Sequence, residues 1–317
     1  MTLGFEEFMD EVMSAIPDKL PEKIRNSRIS IEEKTKNNDI KLHGIAILPE
    51  GMTAVPLFYL ENYYDDYVRG MSADEIAGHI ASQFEQYRDR ASAIRLPDLD
   101  FESVSDRLRV RLVNSRSNIE SLDSLVSRPV GCGFSLTSYI DLPPEAGVEG
   151  MIQVTRQLAE LNGYDETLLM NTALSNSAKY EQPTLNDIAD VLFGDGANDL
   201  LNGAEYEGGG SLYVLSHKGR EYGAAALFYP GIQERIAEVL GEDYYVLPSS
   251  VHEVLIMPQS SGLSTVQMMD MVENVNRAEL SAEDKLADKV LLYRRDLERL
   301  TVAEDREREP VPERESV

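Results

Sequence analysis

The sequence predicts an α+β fold, with mixed or antiparallel sheets covered by amphipathic helices and room for two similar-sized α/β layers. Three observations predict it. Apolar residues make up 42% of the 317 residues, enough for ordinary buried cores. Short alternating runs bounded by turn residues recur along the chain, as strands do. Between them lie segments whose apolar residues repeat every three or four positions, as on one face of a helix.

The elements follow in order. Phe5, Phe8, Met9, Val12, Met13 and Ile16 form one apolar stripe, which predicts a helix ending before Pro17. Runs at 28–34, 40–48 and 54–60, separated by Asn37-Asn38-Asp39 and Pro49-Glu50-Gly51, predict a meander of three strands. Ser72 with Glu75 is a capping box, and Ile76, Ile80, Phe84, Tyr87 and Ala91 continue it as a long helix over that sheet. The stretch RLRVRLVNSRSN from Arg107 alternates basic and apolar residues, predicting an edge or solvent-facing strand whose arginines answer the surrounding acid. A phosphate site is the other reading of this basic stretch.

Strands are expected at 133–142 and 149–155, and helices at 156–161, 165–178 and from a Thr184 cap to Phe193. The glycine-rich segment 194–210 suits a linker or loop. It divides an N-terminal domain, 1–193, from a C-terminal one, 211–302. In the latter the spacing predicts a hairpin of 212–216 with 222–229 about His217-Lys218-Gly219, a helix over 231–240, and strands at 243–247 and 251–257. Two capped helices follow, one at Ser264 with Gln267 and one at Ser281 with Asp284. The second carries Leu286, Val290, Tyr293, Leu297 and Leu300. The charged, proline-interrupted segment 303–317 is expected to be a disordered tail.

Charge limits function. Fifty-six Asp and Glu against thirty Lys and Arg give a net charge of −26, which disfavours direct binding to nucleic acid or to an anionic membrane. The last fifteen residues hold six acids and three bases, so most of the excess precedes them. A single cysteine, Cys132, rules out an intramolecular disulfide and a cysteine-rich zinc site. No signal peptide or bilayer-spanning run is read, so a cytoplasmic protein is expected. Nucleotide-loop, zinc-protease and nucleophile-elbow motifs are absent, and no cofactor or metal is expected.

Three clusters invite a chemical reading. Leu247-Pro248-Ser249-Ser250-Val251-His252-Glu253 brings hydroxyls, an imidazole and a carboxylate together, so Ser249, Ser250 and His252 are the candidate catalytic residues of a hydrolase-like enzyme or small-ligand binder. If 251–257 is extended, His252 and Glu253 face opposite ways, and a turn in which the serines satisfy backbone groups is preferred. Glu61 and Asp65, one helical turn apart, are candidates to share a hard cation, with solvated helix surface preferred. Met268, Met269 and Met271 offer an adaptable partner surface, with core packing preferred.

The order of segments resembles an uncharacterised family of domain-of-unknown-function proteins from Gram-positive gut anaerobes, often near mobile elements. The likeness rests on Lys36-Asn37-Asn38, Leu57-Phe58-Tyr59-Leu60-Glu61 with 64–70, Arg111-Leu112-Val113-Asn114, Asn171-Thr172-Ala173 and the segment from Leu247 to Glu253, over about residues 3–300. One departure is a missing threonine-isoleucine pair before Tyr59. The resemblance implies no activity, cofactor or catalytic residue. From the residues, the preferred function is a non-enzymatic binding or accessory protein, loosely like secretion chaperones. Fifteen tyrosines and no tryptophan suit adaptable contacts, and the acid suits a basic protein partner, with mimicry of DNA as one version.

Overall fold

The computed structural model describes residues 4–50, 52, 55–91, 98–142, 150–194, 198–206, 212–278 and 280–303. It divides into two compact units, one of Met1–Pro97 with Leu142–Gly150 and the other of Asp98–Asp141 with Met151–Val317. The division falls near residue 97 and not at the glycine-rich segment 194–210, which lies inside the second unit.

In the first unit, helix α1 (Phe5–Lys19) turns Phe8, Val12 and Ile16 fully inward. It runs through Pro17, because so near the C-terminus a proline forgoes a single bond, to the Met13 carbonyl, while Leu20 beyond it is buried. Strands β1 (Arg28–Thr35), β2 (Lys41–Leu48) and β3 (Leu57–Tyr59) form the expected antiparallel meander. The β1–β2 turn uses Asn38 and Asp39 with φ of 61° and 51°, a region that Asn and Asp tolerate. After α2 (Glu61–Val68), the Ser72 box closes as read: Ser72 N–H donates to Glu75 Oε2 at 2.9 Å and Glu75 N–H to Ser72 Oγ at 3.2 Å. Helix α3 (Ala73–Ala91) lays Ile76, Ile80 and Phe84 into the same core as Ile45 and Ile47 of β2.

The second unit begins with α4 (Phe101–Val104), β4 (Leu108–Asn114), α5 (Ile119–Ser124), β5 (Ser127–Gly131) and β6 (Phe134–Asp141), then β7 (Met151–Gln153), α6 (Arg156–Leu161) and α7 (Glu166–Tyr180). These strands form an antiparallel sheet in the order β4-β6-β5, with β7 also on β6. The β5–β6 turn is Gly131-Cys132-Gly133, with φ of 88°, 51° and 75°. Beside it the Lys289 ammonium lies 3.8 Å from the Phe134 ring centroid and donates to the Cys132 carbonyl.

The chain continues with β8 (Pro183–Asp187), α8 (Ile188–Phe193), β9 (Tyr213–His217), α9 (Ile232–Leu240), β10 (Tyr244–Leu247), β11 (Val254–Pro258), α10 (Thr265–Ala278), β12 (Leu291–Arg294) and β13 (Arg299–Val302). They build a sheet in the order β13-β12-β10-β11-β9-β8, again with antiparallel neighbours. The fold is therefore α+β with antiparallel sheets. Strands β8 and β9 pair directly, Thr184 opposite Ser216, across the segment expected to separate domains.

Four further expected elements differ. Residues 183–187 are strand, and Asp187, not Thr184, caps the following helix through Ala189 N–H at 2.8 Å. Residues 223–228 form a 3-10 helix in place of a second hairpin strand, with Ala224, Ala225, Ala226 and Leu227 fully buried. Strand β11 begins at Val254, leaving His252 and Glu253 before it. The expected last helix is a capped turn, Ser281 Oγ to Asp284, followed by the β12–β13 hairpin. Cross-strand stacking decides the last case: Tyr293 sits opposite Tyr244 with ring centroids 5.0 Å apart. Residues 304–317, expected to be a tail, lie outside the described residues.

Candidate functional site

The polar face of the β4–β6 pair carries the most concentrated chemistry in the second unit. Side chains alternate along each strand, and register sets Arg109 opposite Tyr139 and Arg111 opposite Thr137. Leu108, Val110 and Leu112 turn the other way into the main core. The basic alternation is therefore a strand, and β4 is at the sheet edge, but its arginines are not solvent-facing. Arg111 is only 7% exposed.

The two arginines differ in company. The Arg109 Nε lies 3.5 Å from Asp141 and 3.9 Å from Glu181, and its Nη1 donates to the carbonyls of Asp106 and Leu108 at 2.8 Å. Glu181, at the C-terminus of α7, also accepts from the hydroxyls of Tyr229 and Tyr139. Arg111 donates from Nε to Thr137 Oγ1 at 3.2 Å, and its guanidinium lies 5.7 Å from the Tyr222 ring centroid. Among the described residues, no carboxylate comes within ion-pair distance of it. Burial lowers the Arg111 pKa, opposed by the phenols of Tyr222 and Tyr139. Burial likewise raises the phenols of Tyr139, Tyr222 and Tyr229, so they stay protonated hydrogen-bond donors at neutral pH.

Tyr222 is held by the loop after β9. His217 closes that loop on itself: Gly219 N–H donates to Nδ1 at 3.0 Å, so Nε2 carries the proton and donates to the Glu221 carbonyl at 2.8 Å. Tyr222 then adopts φ 58°, followed by Gly223. A Cβ on Gly223 would overlap Ser216 Oγ and lie 2.5 Å from the His252 carbonyl oxygen. Only glycine fits between β9 and the segment before β11, and that close approach accompanies the placing of the Tyr222 ring beside both Arg111 and His252.

His252 is stacked on Tyr222, with ring centroids 5.6 Å apart. Tyr222 N–H donates to Nδ1 at 3.2 Å, which puts the proton on Nε2, and Nε2 donates to Asp284 Oδ1 at 3.2 Å. Asp284 accepts in turn from Ser281 Oγ at 2.7 Å. Ser250 makes no hydrogen bond to the imidazole: it is buried, and its Oγ accepts from His252 backbone N–H at 3.0 Å. Ser249 is also buried, and its carbonyl accepts from Leu286 N–H at 2.7 Å. The structure thus brings Asp284 and Tyr222 to His252, neither of which sequence spacing pointed to.

The other candidates lie elsewhere. In the first unit, Glu61 accepts from His43 N–H at 2.9 Å and pairs with His43 Nδ1 at 2.8 Å, while Asp65 is exposed. The Glu61 carboxylate is committed to that histidine. Among the described residues, no three His, Cys, Asp or Glu side chains gather as metal ligands. Met268 is fully buried with Leu247, Met257, Val272 and Val290, and Met269 and Met271 pack partly buried beside them. No described helix is long and apolar enough to cross a membrane.

Asp141 offers a pH test of this site. Burial raises its carboxyl pKa, against the pull of Arg109. The folded chain then keeps the proton to higher pH than the unfolded chain, so stability falls as pH rises from 3.8 through the raised value and stays lower above it. Asp141→Asn is expected to gain on wild type across that window, with little difference below it, in urea unfolding at a series of pH values. A difference independent of pH would contradict this.

No curated protein and no solved structure matches the chain. The model for DUF5688, described as a family of unknown function, matches residues 5–295, and the chain belongs to that family.

Proposed function

We propose that the protein acts by binding and not by catalysis, as a cytoplasmic accessory protein whose partner is a basic protein. One observation carries the first half. Both imidazole nitrogens of His252 are occupied, by Tyr222 N–H and by Asp284, and Ser250 Oγ serves a backbone N–H. A general base needs a nitrogen free to face a nucleophile, so this geometry supports a positioning role for His252. The excess of 56 acids over 30 bases supports the choice of a basic partner, by electrostatic complementarity. The Gram-positive, mobile-element setting implied by the resemblance suits an accessory role and belongs to the same proposal.

The test is capture from native lysate on the immobilised full chain, at about 0.05 M and about 0.5 M salt, between which screening length changes severalfold. A basic protein recovered at low salt and lost at high salt is the expected result. The alternative, a hydrolase-like enzyme or small-ligand binder at Ser250 and His252, predicts turnover in a hydrolase substrate panel that His252→Ala abolishes. That outcome would overturn the binding reading.

A further inference from the structure

We propose that Arg111 anchors a site for the carboxylate of a small monoanionic ligand. The inference does not depend on the basic partner, since it concerns one side chain on the β4–β6 face. Leaving a charge buried without a counter-charge is costly, and folded proteins pair it or hydrogen-bond it fully. Arg111 is 7% exposed in a chain with 56 acidic residues, yet no carboxylate among the described residues is placed to neutralise it. Asp141 and Glu181, the acids of this face, are both turned to Arg109.

The guanidinium is also held ready. It is a planar fork of five donors. Thr137 fixes Nε at 3.2 Å, and Tyr222 lies beside the plane. Beyond the Tyr222 phenol, no acceptor is supplied to the two terminal nitrogens among the described residues. Two parallel N–H donors on a rigid plane match the two oxygens of a carboxylate. The Tyr222 phenol remains protonated and can donate to the same group. The surrounding acids favour one charge over two. Glu221 and Asp284 both act on Tyr222, and Glu181 and Asp141 on Tyr139, so a phosphate dianion meets more repulsion than a carboxylate.

The test uses the full chain with acetate as probe, against chloride at equal ionic strength, and with inorganic phosphate as the comparison. Acetate is expected to raise the melting temperature saturably and to move the Arg111 Nε–H resonance in wild type. Arg111→Met should weaken acetate binding at least tenfold, and Arg111→Lys, which keeps the charge but loses the fork, should weaken it less. The resonance measurement on wild type stands even if a variant fails to fold. No acetate effect on either readout, or equal effects in wild type and Arg111→Met, would overturn the proposal. A phosphate response stronger than that of acetate and lost in Arg111→Met would overturn the carboxylate assignment.

Discussion

Gly223→Ala is expected to destabilise the second unit by about 3 kcal/mol, at the upper end for overpacking a close-packed interior. The added methyl would overlap Ser216 Oγ and crowd the His252 carbonyl, which are themselves joined by a hydrogen bond of 2.9 Å. Neither neighbour is the free end of a long side chain, so the crowding must be relieved by moving β9 or the segment before β11. Either movement carries the Tyr222 ring away from Arg111 and His252. The expected signature in urea unfolding is a lower midpoint, together with a shift of the Tyr222 ring resonances. Wild-type stability with unmoved resonances would show that the loop accommodates a side chain there and that Tyr222 is positioned by other means.

Glu181→Ala should cost about as much, in the range of 3 kcal/mol found when one partner of a buried charged network is removed. The Glu181 side chain is 11% exposed and serves three groups at once: the Tyr229 and Tyr139 hydroxyls and the Arg109 guanidinium. Truncation leaves two buried phenols short of an acceptor and leaves Arg109 with Asp141 as its carboxylate partner among the described residues. Glu181→Gln keeps an acceptor oxygen and should lose less than half as much. Equal losses for the two variants would mean that charge, and not hydrogen bonding, holds this corner together.

The parts of the fold legible in the sequence are those decided by local chemistry. The Ser72 box, the Asn37-Asn38-Asp39 turn and the stripes of α1 and α3 each depend on residues within one or two turns of one another. The failures share a cause of the opposite kind. Leu286, Val290, Tyr293, Leu297 and Leu300 have helical spacing, but Tyr293 is claimed by Tyr244, nearly fifty residues earlier, and a strand results. Glycine content marks a segment that need not be regular, and says nothing about whether the strands on either side will pair, as β8 and β9 do.

The candidate site was half legible for the same reason. The alternation around Arg111 announced a strand, and Ser250 and His252 announced a turn with polar side chains. Which face of the strand is covered depends on Tyr222, and which groups hold the imidazole depends on Tyr222 and Asp284. These residues come from loops far apart in sequence. No periodicity in a single segment encodes that meeting.

The turn at Gly131-Cys132-Gly133 gives the molecule a built-in chemical reporter. Cys132 is the sole thiol of the chain and is half-buried, and its Sγ lies 3.5 Å from the Leu300 carbonyl at the end of the β12–β13 hairpin. Burial raises its pKa, against the pull of Lys289 and Arg299, and so disfavours the thiolate, the reactive form. Alkylation of Cys132 is therefore expected to be slower in the native protein than in the unfolded chain, and any loosening of β5–β6 against β13 should speed it, so a thiol reagent reads this corner without any engineered label.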